Sequence, residues 1–314
     1  MVAADSSAKF LTVYGKLSSP DLMFVQKGLE LVEFELGFKV GQIIQLTPTD
    51  YETLVDAKRK EYGDDVLLHR GNLIAFVGVT DPAYLGNLAT IKSFLYDEYG
   101  YTSGKTNAVF YKRLATKNKL RYMQLSGHEF ISITFNDHRP VIIELYNDAL
   151  PKTCANFKEL ILAHLSEPAE GAKPVKGYND TVVHRIVPEG WIQCGDVDEG
   201  KGTGSVAANG SVIPDESFAI KHLKHGIVGM ANSTTHGNGS QFYITLSPLP
   251  WLDGKKVAFG RVFDGMRTLR MIEKEETQNQ RPLQEISITE CSLIDVPPLV
   301  KPAKKYDFPT APGA

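Results

Sequence analysis

Around Gly127 this 314-residue chain changes texture, and that change restricts its fold more than any other feature. Before it, strand and helix signals alternate. After it, short strand signals follow one another closely, with only two helical ones among them. A chain of this length exceeds one ordinary small domain and fits two, each with its own core. We therefore expect a small α/β domain over 1–125, a mainly β domain over 126–295 and a tail over 296–314. The tail carries five prolines and cannot build a packed core, so it reads as disordered or as an extended docking segment.

In the first region Phe10–Tyr14, Val40–Leu46 and Leu73–Val79 read as strands, and Tyr51–Tyr62 and Tyr84–Tyr99 as helices. Leu22, Val25, Leu29, Val32 and Leu36 recur at three- and four-residue steps, which gives one apolar helical face. Ser19 followed by Pro20 suits a helix cap with proline at the first helical position. This β/α order, with Tyr14-Gly15-Lys16 leading into the first helix, resembles the thioredoxin or glutaredoxin architecture over the first third of the chain. Members of that family place a cysteine motif at this helix start, where the helix end lowers a thiol pKa. Here the place holds Leu17-Ser18-Ser19-Pro20-Asp21, and no cysteine precedes Cys154. A docking or spacer role is expected of this region, not redox chemistry.

In the second region Phe130–Phe135 and Val141–Tyr146 flank Asn136-Asp137-His138-Arg139, a hairpin signal. Pro151 opens a helix whose Phe157, Leu160 and Ile161 share a face, and a Pro-, Gly- and Lys-rich loop runs from Ser166 to Asn179. Strands are expected at 182–187, 191–195, 226–231, 241–246, 257–263 and Glu285–Ile294, with a second helix over Met266–Glu276. Many short strands with two helices suit a closed antiparallel barrel with capped ends.

Composition narrows the function. Hydrophobic residues at 42% and charged residues at 23% match globular averages, so the body should fold. The net charge of −3, with no basic patch interleaved with aromatics, argues against nucleic acid. Cys154, Cys194 and Cys291 lie far apart with no C-x-x-C pair, which favours a reducing compartment over a disulfide framework or a zinc site. Met1–Lys9 lacks the apolar core of a secretory signal, and no run has the length of a membrane span. A soluble, cytoplasmic protein without a membrane partner is the expectation.

Chemistry concentrates in Val183-His184-Arg185-Ile186-Val187, Gln193-Cys194-Gly195-Asp196, Met230-Ala231-Asn232 and Gly239-Ser240-Gln241-Phe242-Tyr243-Ile244. One arginine stands among apolar and amide residues, with no nucleophile, metal cluster or phosphate loop beside it. Such a site can act on a substrate only by gripping and bending it, and rotation about a prolyl peptide bond needs nothing more.

These runs resemble the cyclophilins, a barrel family of peptidyl-prolyl cis-trans isomerases. So do Pro151–Phe157, Gly202-Thr203-Gly204, Asp215–Phe218, Trp251–Lys255 and Phe259-Gly260, so that the resemblance spans nearly all of 128–295. The N-terminal extension, Gly190–Gln193 and Gln278–Pro282 are most similar to the isomerase-like 6 branch. The resemblance implies that Arg185 donates to the prolyl nitrogen as the bond twists and that Gln193 orients the arginine and the substrate carbonyl. It implies that Asn232, through its backbone, and Trp251, through its indole N–H, hold the substrate chain or cyclosporin. Trp191, Ala231, Gln241, Tyr243 and Leu252 match the remaining pocket positions. No cofactor and no metal are implied, and the partners implied are Xaa-Pro segments of proteins.

Four positions depart from the family pattern. Gly190 stands in place of a phenylalanine, Trp191 of a methionine, Lys256 of a histidine and Tyr243 of a phenylalanine. Losing part of one pocket wall costs roughly 1–2 kcal/mol, or about tenfold in rate, unless Trp191 refills the gap; it could equally block it. Weakened or lost isomerase activity and weaker cyclosporin binding are therefore expected. The alternative is a non-catalytic structural protein. For that, the like-6 branch implies tubulin or axonemal partners in the doublet microtubules of a cilium.

Plainer readings cover the rest. His184 reads as a core histidine, and His222 with His225 lacks acidic or thiol companions for a metal. Gly200–Gly204 reads as loop geometry and not a phosphate site, because no Gly-Lys-Ser/Thr ending opens a helix. Asp196-Val197-Asp198 lacks the later oxygen ligands of a calcium loop. Cys194 reads as structural.

Overall fold

The structure is a computed structural model that describes residues 9–102, 107–163, 176–232 and 236–298. The start of the chain, most of the Ser166–Asn179 loop and the tail beyond 298 lie outside the described residues, so the expectations placed on them stay as stated.

The chain runs β1 (Leu11–Lys16), α1 (Pro20–Leu36), β2 (Gly41–Leu46), α2 (Pro48–Tyr62), α3 (Asp64–Leu67), β3 (Leu73–Val77), β4 (Ala83–Gly86), α4 (Leu88–Tyr99) and α5 (Ala108–Ser126). These form a four-stranded sheet in the order β2-β1-β3-β4, parallel between β1 and β2 and antiparallel elsewhere. Helix α1 begins as its sequence dictates: Ser19 Oγ accepts from Leu22 N–H, Pro20 fills the first turn, and Gly37 ends it at φ 74°. Of its expected apolar face, Leu22, Val25, Leu29 and Val32 are buried and Leu36 is exposed.

Two readings of this region need correction. Tyr84–Tyr99 is not one helix. Ala83–Gly86 pairs with β3, Gly86 turns at φ 127°, and α4 starts afresh where the Asn87 side chain accepts from Ala89 N–H. A local cap and a strand partner outcompete the helical period there. Helix α5 was not expected at all. Ala115 and Met123 are buried along it, and Tyr111, Leu114 and Tyr122 pack beside them on the same face.

From Glu129 the order is β5 (Glu129–Phe135), β6 (Val141–Leu145), α6 (Pro151–Leu162), β7 (Arg185–Val187), β8 (Trp191–Cys194), β9 (Ile227–Met230), β10 (Phe242–Thr245), β11 (Ala258–Asp264), α7 (Met266–Ile272), β12 (Thr277–Gln278), β13 (Arg281–Pro282) and β14 (Ile288–Leu293). The eight longer strands make one curled antiparallel sheet, β14-β5-β6-β11-β9-β10-β8-β7. Its end strands β14 and β7 share no ladder; residues beside them meet at one bridge, Val182 with Ser287. The expected closed barrel is thus a curled sheet whose rims touch at a bridge. Helix α6 lays Phe157 inside it against Tyr178, Phe242 and Phe259, ring centroids 4.9–5.1 Å apart. Helix α7 ends sooner than Glu276, because the chain turns into the small β12–β13 hairpin.

The two sheets meet through a mixed seam. Leu17, Met123, Phe130 and Phe263 form one buried cluster, and Ile294 and Val296 pack onto it. Beside it the Arg261 guanidinium donates to Glu144 (2.7 Å), Asp50 (3.0 Å) and the Tyr122 hydroxyl (2.7 Å). Glu144 is 1% exposed and also takes His128 Nδ1 at 2.8 Å, so the charge is buried only with its partners in place.

Candidate functional site

The candidate site lies on the outer face of strands β7, β8 and β10. Side chains alternate along a strand, so Trp191 and Gln193 point to that face while Ile192 and Cys194 enter the core. The register sets Gln193 opposite Arg185 on one side and Tyr243 on the other. Ala231 and Asn232 follow β9, and Trp251 and Leu252 come from a one-turn helix at Pro250–Leu252. All nine residues expected at the site are thus borne by neighbouring elements.

The apolar floor is already covered. Ala231, Tyr243, Leu249 and Leu252 form a buried cluster, and the Trp191 indole packs on it. The Trp191 ring meets Trp251 edge-to-face at 5.9 Å. The Trp191 indole is turned in toward this cluster, a position compatible both with refilling the wall and with blocking it. Nor is Gly190 a simple gap. A Cβ there would meet Val187 Cγ1 at 2.8 Å, because the β7–β8 turn folds back on itself.

The polar groups are also engaged from within. Gln193 does not reach Arg185 by a hydrogen bond: its Oε1 accepts from the Trp191 indole N–H (3.3 Å) and its Nε2 donates to Gln241 Oε1 (2.8 Å). Its expected role in orienting the arginine is therefore corrected, since the larger indole at 191 offers a donor that the amide oxygen takes. Gln241, 6% exposed, spends its own N–H groups on the carbonyls of Gly202 (3.0 Å) and Gly204 (2.8 Å). Of the Asn232 backbone, expected to hold a substrate chain, the carbonyl accepts from Lys256 Nζ at 3.0 Å. Burial lowers the Lys256 pKa, and Asp215 pulls the other way. Trp251 remains 53% exposed, and its indole N–H has no partner among the described residues.

Arg185 itself donates from Nε to Gln280 Oε1 at 2.7 Å and stacks its guanidinium over Trp191, 5.1 Å from the ring centroid. Its two terminal nitrogens have no partner among the described residues, so donors remain for a ligand. Beneath the pocket, Tyr243 is 4% exposed, and burial raises its hydroxyl pKa. Its hydroxyl lies 2.7 Å from His222 Nε2, whose Nδ1 lies 2.8 Å from Asp253. Asp253 as a carboxylate only accepts, so Nδ1 donates to it, and the neutral form of the ring would accept from the tyrosine hydroxyl at Nε2. The added hydroxyl is satisfied below the floor and not presented to the pocket.

Gln280, His222 and Leu249 were not foreseen as site residues. Gln278–Pro282 stood out only as a run shared with the like-6 branch. His225 turns to Thr53 (3.4 Å), away from His222. Among the described residues no group of three or more His, Cys, Asp or Glu is placed to hold a metal ion. The Asp196 carboxylate accepts five backbone N–H groups, from Asp198, Glu199, Lys201, Gly202 and Gly204. Burial raises its pKa, yet those bonds outweigh burial and hold it below the ordinary carboxylate value. Loop 196–204 is built around that one side chain. His184 is buried with Gly202 packed on its ring, but neither ring nitrogen has a hydrogen-bond partner among the described residues, so the backbone group expected to pair with it is not met. Burial pushes the Cys194 thiol up, in keeping with a structural role.

The profile of the family described as cyclophilin type peptidyl-prolyl cis-trans isomerase/CLD matches residues 130–293. Three curated relatives carry the name "Probable inactive peptidyl-prolyl cis-trans isomerase-like 6". The Homo sapiens protein is 31% identical over 284 residues, covering 88% of this chain and 89% of its own. The Mus musculus protein is 32% identical, with 82% of each covered, and the Bos taurus protein 30%, with 88% and 90% covered. The likeness therefore runs through both sheets and not the second alone. With the curled eight-stranded sheet, the arginine-bearing face and these matches together, the chain belongs to the cyclophilin-type peptidyl-prolyl cis-trans isomerase family.

Proposed function

We propose that this chain is a cyclophilin-type protein that takes Xaa-Pro segments at the Arg185 face with weakened cis-trans isomerase activity, because its own Trp191 occupies the proline pocket. The packing of that indole on Ala231, Tyr243, Leu249 and Leu252 carries the reading. Twisting a prolyl bond breaks amide resonance against a barrier of roughly 18–20 kcal/mol. The nitrogen regains a lone pair as it pyramidalises, and a guanidinium aimed there favours the twisted state over the planar one. Arg185 is assigned that donor through its terminal nitrogens, and Gln193 the shaping of the wall through Trp191 and Gln241. Before a proline ring can dock, Trp191 must leave its seat. Re-exposing such a side chain costs about 1.5–3 kcal/mol, which lowers turnover roughly ten- to a hundredfold. The relatives' printed name points the same way. Cyclosporin, which needs the same floor, is expected to bind weakly.

Cis-trans exchange of an Ala-Pro peptide, measured by NMR on the protein and on Arg185→Ala, tests this. A slow exchange contribution that disappears in the variant supports it. Equal rates for the two proteins would remove catalysis and leave binding alone.

A second reading makes the chain an architectural part, a rigid body with attachment surfaces. The buried seam of Leu17, Phe130 and Phe263 supports it by joining the two sheets. We assign the N-terminal unit a thioredoxin-like fold on its 2-1-3-4 strand order with one parallel pair. Axonemal partners and a ciliary site rest on the like-6 resemblance alone. Co-sedimentation with doublet microtubules that survives Arg185→Ala, but not removal of the N-terminal unit, would support that role. Loss of binding on the arginine change alone would count against it.

A further inference from the structure

We propose that Gln280, at the tip of the β12–β13 hairpin, is the positioning residue for Arg185, in the place expected of Gln193. The proposal rests on the isomerase reading for its catalytic consequence only; the contact itself is tested separately below. Gln280 makes two bonds to consecutive residues of β7. Its backbone carbonyl accepts from Ile186 N–H at 2.7 Å, and its side-chain Oε1 accepts from Arg185 Nε at 2.7 Å. Because Oε1 takes the Nε–H, the guanidinium cannot rotate freely, and its terminal nitrogens keep a single direction. Trp191 restrains the same group through its face, 5.1 Å from centroid to Arg185 Cζ. Gln193 meanwhile is committed to Trp191 and Gln241 and has no amide atom bonded to the arginine.

The hairpin's backbone makes this more than a chance contact. Gln278 pairs with Arg281, so Asn279 and Gln280 form a two-residue turn with φ of 51° and 68°. Such a turn requires the left-handed region at both positions, and its second position favours glycine. A glutamine there is locally unfavourable, yet it is the residue whose side chain reaches Arg185. Arg281 anchors the next position by donating to the Lys201 carbonyl at 3.2 Å. The hairpin thus ties the edge strand β7, which has no sheet neighbour on that side, to the loop around Asp196.

The test uses the full-length protein with Gln280→Gly and Gln280→Glu. Glycine suits the turn, so its thermal midpoint should equal or exceed that of the unmodified protein, which separates positioning from folding. The Arg185 Nε–Hε NMR signal, identified by its loss in Arg185→Ala, should exchange slowly with solvent in the unmodified protein. It should speed up in Gln280→Gly and stay slow in Gln280→Glu, where a carboxylate oxygen replaces the amide oxygen. Residual prolyl exchange should fall about tenfold in the glycine variant and be kept in the glutamate one. An Nε–Hε signal unchanged by Gln280→Gly would overturn the proposal. If Arg185→Ala leaves the exchange rate untouched, the isomerase reading falls and the NMR signal alone decides whether Gln280 holds the arginine.

Discussion

The start of α1 and the groove around Arg185 are both occupied by the protein's own side chains, but in different ways. At the first, the residues that could do chemistry are missing, and Leu17 is buried between α5 and the second sheet. At the second, the arginine, amides and indoles are all present, and Trp191 lies across the apolar floor. A seal made by a domain seam opens only by partial unfolding. A seal made by one rim side chain opens by a rotamer change costing a few kcal/mol, which a ligand can supply. The first place is therefore held shut by the seam between the sheets, whereas at the second a single indole packs on the apolar cluster.

The sharpest way to break this contrast is Leu17→Ala. It should cost about 2–5 kcal/mol, read from the denaturant midpoint, while leaving prolyl exchange unchanged. A comparable fall in exchange would show that the seam and the groove are one unit. Asp50→Asn probes the same seam through charge and should cost about 1.5–3 kcal/mol near neutral pH. Burial alone pushes the Asp50 carboxyl up, but Lys224 and Arg261 outweigh it and hold it below its ordinary value. A carboxyl lowered in the folded state stabilises above its unfolded value, and that contribution is lost as pH falls through the folded one. The unmodified protein should thus lose stability on acidification in that window, and the variant should show a flatter acid limb.

On the groove side, Trp191→Met should raise prolyl exchange about tenfold, equivalent to about 1.4 kcal/mol, and adding Arg185→Ala should abolish the gain. A Trp191→Met protein no faster than the original would mean the indole is not the obstruction. Tyr243→Phe should have the smallest effect. It strips His222 Nε2 of its partner and costs about 1 kcal/mol of stability with little change in exchange, since the hydroxyl lies below the floor.

Some of these features were legible in the chain and others were not, for physical reasons. The Ser19-Pro20 start of α1, the hairpin around Asn136–Arg139 and the arginine-bearing strand are local signals, carried by caps, turns and alternation. Strand β4 escaped because its four residues also suit a helix, and only the β3 edge decides between them. Helix α5 escaped because its stripe of Tyr111, Leu114, Ala115, Tyr122 and Met123 is half-buried and broken by polar Asn118, so only its packing on α1 and the seam brings it out. Gln193 was placed at the site, but not its partners, because an amide bonds to whichever donors are near and Trp191 had changed what was near.

Residue order alone determined the change from mixed to mainly β signals, the cyclophilin-type match over 130–293 and the absence of a thiol at the start of α1, since each depends on which residues neighbour one another along the chain. Only the tertiary structure decided that Trp191 packs on Ala231, Tyr243, Leu249 and Leu252, that Lys256 donates to the Asn232 carbonyl and that Arg185 donates to Gln280. Those pairings join residues brought together by packing, and packing is settled by every neighbour at once.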